Sequence, residues 1–128
     1  MAASYPDDLK YHSDHDWARI DGETATLGIT WYAQDQLGEI VHYEPPEEGS
    51  PLAKDESYGE VESVKAVSDI VSPLSGEVVE VNTKVEEEPE TVNEDPYGEG
   101  WLVRVRLTDP AEVDELLDAA TYRKLLEQ

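Results

Sequence analysis

Along most of the chain, apolar and polar residues alternate with the two-residue period of a strand that has one face buried. "WARIDGETATLGI" reads as strand, turn, strand, with Asp21-Gly22 as the two-residue hairpin signal, because both tolerate the positive φ that a tight turn demands. "EIVHYE" is a strand closed by Pro45-Pro46, and "YGEVESV" and "VSDIV" are strands on either side of Lys65. Pro73 and Gly76 make the next turn, "EVVEVN" is a further strand, and "GWLVRVRL" the last. Between them "TWYAQDQLG" breaks the alternation and predicts a short helix, with Thr30 as N-cap and Gly38 just past its end. "DPAEVDELLDAATYRKLLEQ" predicts helix over about 110–127. There Asp109 is the cap, Pro110 takes the first helical position and Glu112 completes a capping-box-like pattern. Leu116, Leu117, Leu125 and Leu126 form its apolar face, with a break near Thr121. The acidic stretch from about Glu86 to Glu99, carrying Pro89 and Pro96, reads as a loop. Residues 1–8 read as a flexible N-terminus. The pattern predicts one mainly β domain over 1–128 with small helical pieces.

The middle of the chain echoes itself. "GEIVHYE" from Gly38 returns as "GEVVEVN" from Gly76, and "YGEVESV" from Tyr58 as "YGEGWLV" from Tyr97. The near-equal offset predicts two similar β halves packed face to face. It also places Lys65 on a turn at one end of the body.

Charge then removes several functions. The 128 residues hold 31 Asp and Glu against nine Lys and Arg, a formal net charge of -22. Nucleic acid and anionic membrane surfaces are thereby excluded, since both need clustered cations. No apolar run approaches the roughly 18–20 residues of a membrane span, and the start lacks a secretory pattern. A cytoplasmic protein is expected. With no cysteine there is no disulfide, thiolate nucleophile or thiolate metal site. Dispersed acidity of this kind suits a host with concentrated internal salt, where screening removes self-repulsion.

"HSDHD" offers His12, Asp14, His15 and Asp16 as metal ligands, but a strand would send the two rings to opposite faces, and no metal is expected. The acidic stretch lacks the alternating ligands and central glycine of a calcium loop. Neither a Ser-His-Asp set nor a phosphate-cradling glycine loop occurs, so no catalytic residue is expected. Lys65 is flanked by Glu62 and Asp69, which favour its charged form and disfavour Schiff-base chemistry. Two readings of the residues remain: an ordinary solvated lysine, or an amine presented on a tight turn for acylation.

"VESVKAVSDIVSPLSGEVVEVN" resembles the lipoyl-attachment region of the glycine cleavage H-protein family. "HDWARIDGETATLGIT", "AQDQLGEIV", "NEDPYGEGWLVRV" and "DPAEVDELLDAATY" resemble the same family in the same order. The resemblance implies a flattened barrel-sandwich of the lipoyl/biotinyl type, with an N-terminal hairpin, short helices and a lipoyl hairpin at about 58–72. Lys65 would carry lipoate in amide linkage, with Glu62, Ser63, Val64 and Ala66 read by the lipoate-attaching enzymes. The chain would be a non-catalytic carrier. It would accept an aminomethyl group from the pyridoxal-phosphate enzyme glycine decarboxylase and pass it to a tetrahydrofolate-dependent aminomethyltransferase. Dihydrolipoyl dehydrogenase would then reoxidise the arm. A monomer making transient contacts is expected. Asp14, Asp16, Trp17 and Asp69 would line a cleft shielding the loaded arm. Three positions depart from the family's usual pattern: Asp16 is shorter than the usual Glu, Trp31 replaces an acid, and His42 occupies a position more often apolar. Biotinyl domains usually flank the lysine with methionine, where Val64 and Ala66 stand here. A lipoyl domain of a 2-oxoacid dehydrogenase, an H-like donor of lipoate and an unmodified acidic interaction module are the alternatives.

Overall fold

The computed structural model describes residues 5–127; the strands that the alternation predicts are present, and two short ones, Lys10–His12 and Pro51–Leu52, are added to them. β1 (Lys10–His12), β2 (Asp16–Asp21) and β3 (Thr24–Ile29) form an antiparallel N-terminal set. The chain continues through α1 (Trp31–Leu37), β4 (Ile40–Glu44), β5 (Pro51–Leu52), β6 (Ser57–Ser63), β7 (Val67–Val71) and β8 (Gly76–Val81). It ends with α2 (Thr83–Glu87), α3 (Thr91–Glu94), β9 (Val103–Leu107), a 3-10 helix (Pro110–Glu115) and α4 (Ala119–Leu126). The strands make two antiparallel sheets, β1-β2-β3-β9-β8-β5 and β4-β6-β7. They face each other as an open sandwich, not closed into a barrel.

Alternation explains what fills the interior. Val103, Val105 and Leu107 of β9 point inward, while Arg104 and Arg106 point out and pair with Glu80 (2.6 Å) and Glu77 (2.9 Å) on β8. In β6, Tyr58 and Val61 are buried and Glu60 and Glu62 exposed. A bulge between Val78 and Glu80 leaves Val79 outside and returns Val81 to the core. A second, aromatic cluster under the N-terminal hairpin joins Leu9, Tyr11, Trp17, Tyr97 and Tyr122. Each such side chain, fully buried, contributes on the order of 1.5–3 kcal/mol.

The β2–β3 turn sits one residue later than the hairpin signal placed it. Asp21 pairs with Thr24, so Gly22 and Glu23 are the central residues, and Gly22 alone takes a positive φ (63°). That is the arrangement of a two-residue turn with glycine first. The predicted duplication survives as sheet partnership: β4 pairs with β6 as β8 pairs with β9. The residues themselves are used differently, since Gly38 ends α1 whereas Gly76 opens β8.

Two expectations are corrected. The acidic stretch read as a loop overlaps two short helices, because Asn82 caps α2 by accepting from the N–H of Lys84, and Val85 and Val92 are buried anchors. At the C-terminus the helical segment breaks at Leu116–Asp118, ahead of Thr121. Glu112 makes no capping box; its carboxylate accepts from the Ser75 N–H and hydroxyl (2.7 and 2.9 Å). Leu117 instead exchanges two backbone hydrogen bonds with Tyr11, and Asp118 restarts the helix by capping α4. The N-terminus expected to be flexible falls partly outside the described residues. Within them, Arg123 donates to the carbonyl of Tyr5, and the Tyr11 hydroxyl to that of Pro6.

Candidate functional site

Lys65 stands at the tip of the β6–β7 hairpin, and one serine shapes that tip. The Ser63 hydroxyl accepts from the backbone N–H groups of Lys65 (3.3 Å) and Ala66 (3.1 Å), while the Ser63 N–H donates to the Ala66 carbonyl at 2.7 Å. Hydroxyl-to-backbone bonds over two or three residues are what make serine a turn former. Ser63 is buried, so of the four residues expected to be read by an attaching enzyme only Glu62, Val64 and Ala66 are displayed. The resemblance implies that an attaching enzyme reads Ser63; in the structure its hydroxyl is turned into the tip.

The hairpin leans on the end of α1. The Val64 N–H donates to the Glu39 carbonyl (3.1 Å), and the Lys65 side chain passes Gly38, where an added Cβ would lie 3.7 Å from its Cε. Gly38 has φ 83° and closes α1 opposite the Thr30 cap, as the sequence predicts. Asn93, which sequence reasoning did not single out, holds this junction together. Its amide nitrogen donates to the Gly38 carbonyl and the Gln34 side chain, both at 2.9 Å, and its oxygen accepts from the Ile40 N–H at 2.8 Å. Beside Gly38 lies an open depression of about 510 Å³, lined among others by Gln34, Asp35, Glu39, Glu90 and Glu94. The root of the lysine is thus fixed by backbone and amide bonds. Its amine is left outside: the ion-paired lysines among the described residues are Lys54 and Lys84.

The four residues expected to form a shielding cleft are not all on the surface. Asp14 is exposed on the β1–β2 turn, and Asp69 is exposed on β7, opposite Glu60. Trp17 is fully buried and donates its indole N–H to the Pro96 carbonyl (3.0 Å), which makes it a core residue and not a cover for a surface arm. Asp16 is 2% exposed, and its Oδ2 has no hydrogen-bond partner. Burial, with the Asp14 charge as a smaller cause, holds the Asp16 carboxyl well above the usual carboxylate range. His12 and His15 also part company. His12 accepts the Asp14 N–H on Nδ1 and meets Asp55 through Nε2 (2.6 Å), whereas His15 Nδ1 meets the Tyr122 hydroxyl (2.8 Å). Of the departures from the family pattern, Trp31 packs against the aromatic cluster and His42 is exposed beside Glu44.

Asp16 has a measurable consequence. Its folded pKa is raised, so the folded state keeps a proton that the unfolded chain loses above about pH 4. Its contribution to stability is therefore lost as pH rises from there toward the folded value. Asp16→Asn removes this slope, and the difference between the two chains in urea unfolding between pH 4 and 7 should change by up to about 1.4 kcal/mol per pH unit.

A family model described as "Glycine cleavage H-protein" matches residues 9–128. The chain belongs to that family. It is 57% identical over 120 residues to a glycine cleavage system H protein from Symbiobacterium thermophilum, covering 94% of each chain. It is 56% identical to one from Rubrobacter xylanophilus, covering 98% of each. A protein named as a probable glycine cleavage system H protein, from Haloarcula marismortui, is 48% identical and is covered along 100% of its length. The crystal structure of a glycine cleavage system H protein from Mycobacterium marinum superposes with a TM-score of 0.88 at 42% identity, over 96% of this chain and 99% of that one. The sandwich with its C-terminal helix is accordingly the H-protein fold, and Lys65 stands on a hairpin of that fold.

Proposed function

We propose that the chain is a non-catalytic carrier in glycine cleavage, with lipoate in amide linkage to Lys65. The observation that supports it best is the lysine hairpin: a tip ordered from within by Ser63, on a fixed root, with its amine unpaired and exposed. A residue already held by its own backbone can be acylated without unfolding the strands behind it. Lipoate, when bound, supplies a dithiolane whose sulfurs take up and release an aminomethyl group. The chain itself supplies reach and position. It collects that group at glycine decarboxylase, delivers it to the aminomethyltransferase, and returns to its oxidised form through dihydrolipoyl dehydrogenase. Working with several enzymes in turn suits a monomer with transient contacts. A cytoplasmic setting fits a chain that has, among the described residues, no helix long and apolar enough to cross a membrane.

Asp16 is the shielding residue with the clearest physical motive. A buried carboxyl lacking a partner gains one when a cationic amine approaches, and ionises in doing so. Asp14 and Asp69 would guide the amine electrostatically from the surface, and Trp17 would support the site from beneath. Reconstitution with the three partner enzymes tests the whole reading: the lipoylated chain should support glycine decarboxylation with one-carbon transfer to tetrahydrofolate. A lipoylated chain that supports neither would leave the donor-of-lipoate alternative in its place.

A further inference from the structure

The two sheets have four outer edges, and three of them are guarded. On β1, Tyr11 is closed off by its paired backbone bonds with Leu117, both 2.8 Å. β5 is two residues long and begins with Pro51. β4 carries a bulge between Ile40 and His42, is packed by α2 and ends at Pro45-Pro46. These are the usual devices against unwanted pairing.

β7 has none of them. It runs five residues, Val67–Val71, without proline, and among the described residues β6 is its only strand neighbour. The register irregularity of that pair lies at its far end, between Ser57 and Gly59. In an antiparallel ladder every second residue turns its N–H and C=O away from the partner, so β7 turns those of Val67 and Asp69 outward, where the Asp69 carbonyl accepts from the hydroxyl of its neighbour Ser68 (3.3 Å). The edge begins two residues after Lys65. Val64 and Val67, 68% and 60% exposed, stand at its start.

The charges decide what fits there. A second copy pairing antiparallel about Asp69 would set Asp69 against Asp69, each beside Glu60, on chains of net charge -22. Like charges directly opposite are destabilising, which disfavours self-pairing. A strand with an apolar side chain opposite Val67 and a basic one opposite Asp69 meets no such repulsion. We propose that the free edge of β7 is the docking strand for the enzyme that acylates Lys65, which adds an extended segment of its own to the β4-β6-β7 sheet. Backbone bonds supply the affinity, and the strand's fixed rise of about 3.3 Å per residue sets where the amine enters the active site. The inference rests on the reading of Lys65 as the acylated residue.

Hydrogen exchange by mass spectrometry tests it, using the unmodified full chain with and without a purified lipoate–protein ligase. The outward-facing amides within residues 67–71, those of Val67 and Asp69 first, should slow by about tenfold or more in the complex, with the β4 and β5 edges unchanged. Asp69→Lys removes the like-charge contact with Glu60, so it should fold at least as well, yet be loaded about tenfold more slowly by the same ligase. Loading precedes any docking of the arm, so a role for Asp69 in shielding does not enter this rate. Unchanged exchange at 67–71 in a complex that does acylate Lys65 would overturn the inference and leave the carrier reading standing. Protection that grows with chain concentration in the absence of ligase would overturn it in favour of self-pairing. A ligase that binds without acylating Lys65 would remove the carrier reading and the inference together.

Discussion

Lys65→Arg should leave the fold untouched and abolish both lipoate loading and support of glycine cleavage. The arginine keeps the positive charge and most of the length of the side chain, so neither electrostatics nor packing at the tip is disturbed. The tip is held by the Ser63 hydroxyl and the bond from Val64 to the Glu39 carbonyl, neither of which involves the lysine side chain. A substitution at so exposed a position should shift the melting temperature by no more than about 1–2 °C. Loading is another matter, because acylation requires a free amine, and a guanidinium stays protonated. Mass spectrometry of the variant after incubation with ligase should show no adduct. An adduct on the variant would place lipoylation on another residue and contradict the account.

The second large effect concerns salt. Raising sodium chloride from about 0.1 to 2 M should raise the melting temperature by about 10 °C or more, since the screening length falls from about 10 Å to below 3 Å. The direction follows from the placement of charge as well as its sum. On the outer face of the larger sheet, Arg104 and Arg106 answer Glu80 and Glu77 across the strands. On the outer face of the smaller sheet, Glu44, Glu60 and Asp69 stand opposite one another in direct register, with no lysine or arginine paired to them and His42 alone beside Glu44. Each such juxtaposition costs stability in dilute buffer and little in strong salt. Circular dichroism melts across the salt series check it. A melting temperature that stays flat or falls would show that the acidic faces are offset by interactions other than screening.

Much of the architecture was readable because local and long-range demands agree. Thr30, Gly38 and the hairpin around Lys65 each have chemistry suited to one conformation, and the alternation of β9 assigns its inner face without ambiguity, whereas in β6 the irregularity between Ser57 and Gly59 brings Tyr58 inside out of step with Val61. The misreadings share a cause. Asn82 and Val85 form a helix only because Val85 has a core to enter, and the run of glutamates around them hides that signal. The C-terminal break is fixed by Tyr11, more than a hundred residues away, which claims the backbone of Leu117 before the helix can continue. Glu112 likewise finds Ser75, a partner that a local capping pattern cannot reveal. Trp17 and Asp16 were placed at the surface by their likeness to a family motif. Their burial depends on Pro96 and the aromatic cluster, contacts made only once the chain is folded.

The most direct test of the carrier account is the intact mass of the protein isolated from its native cells, with fragmentation to locate any adduct. The account predicts one lipoyl group, in amide linkage, on Lys65. An unmodified Lys65 from cells that demonstrably lipoylate other proteins would contradict it, as would a biotin adduct at the same residue.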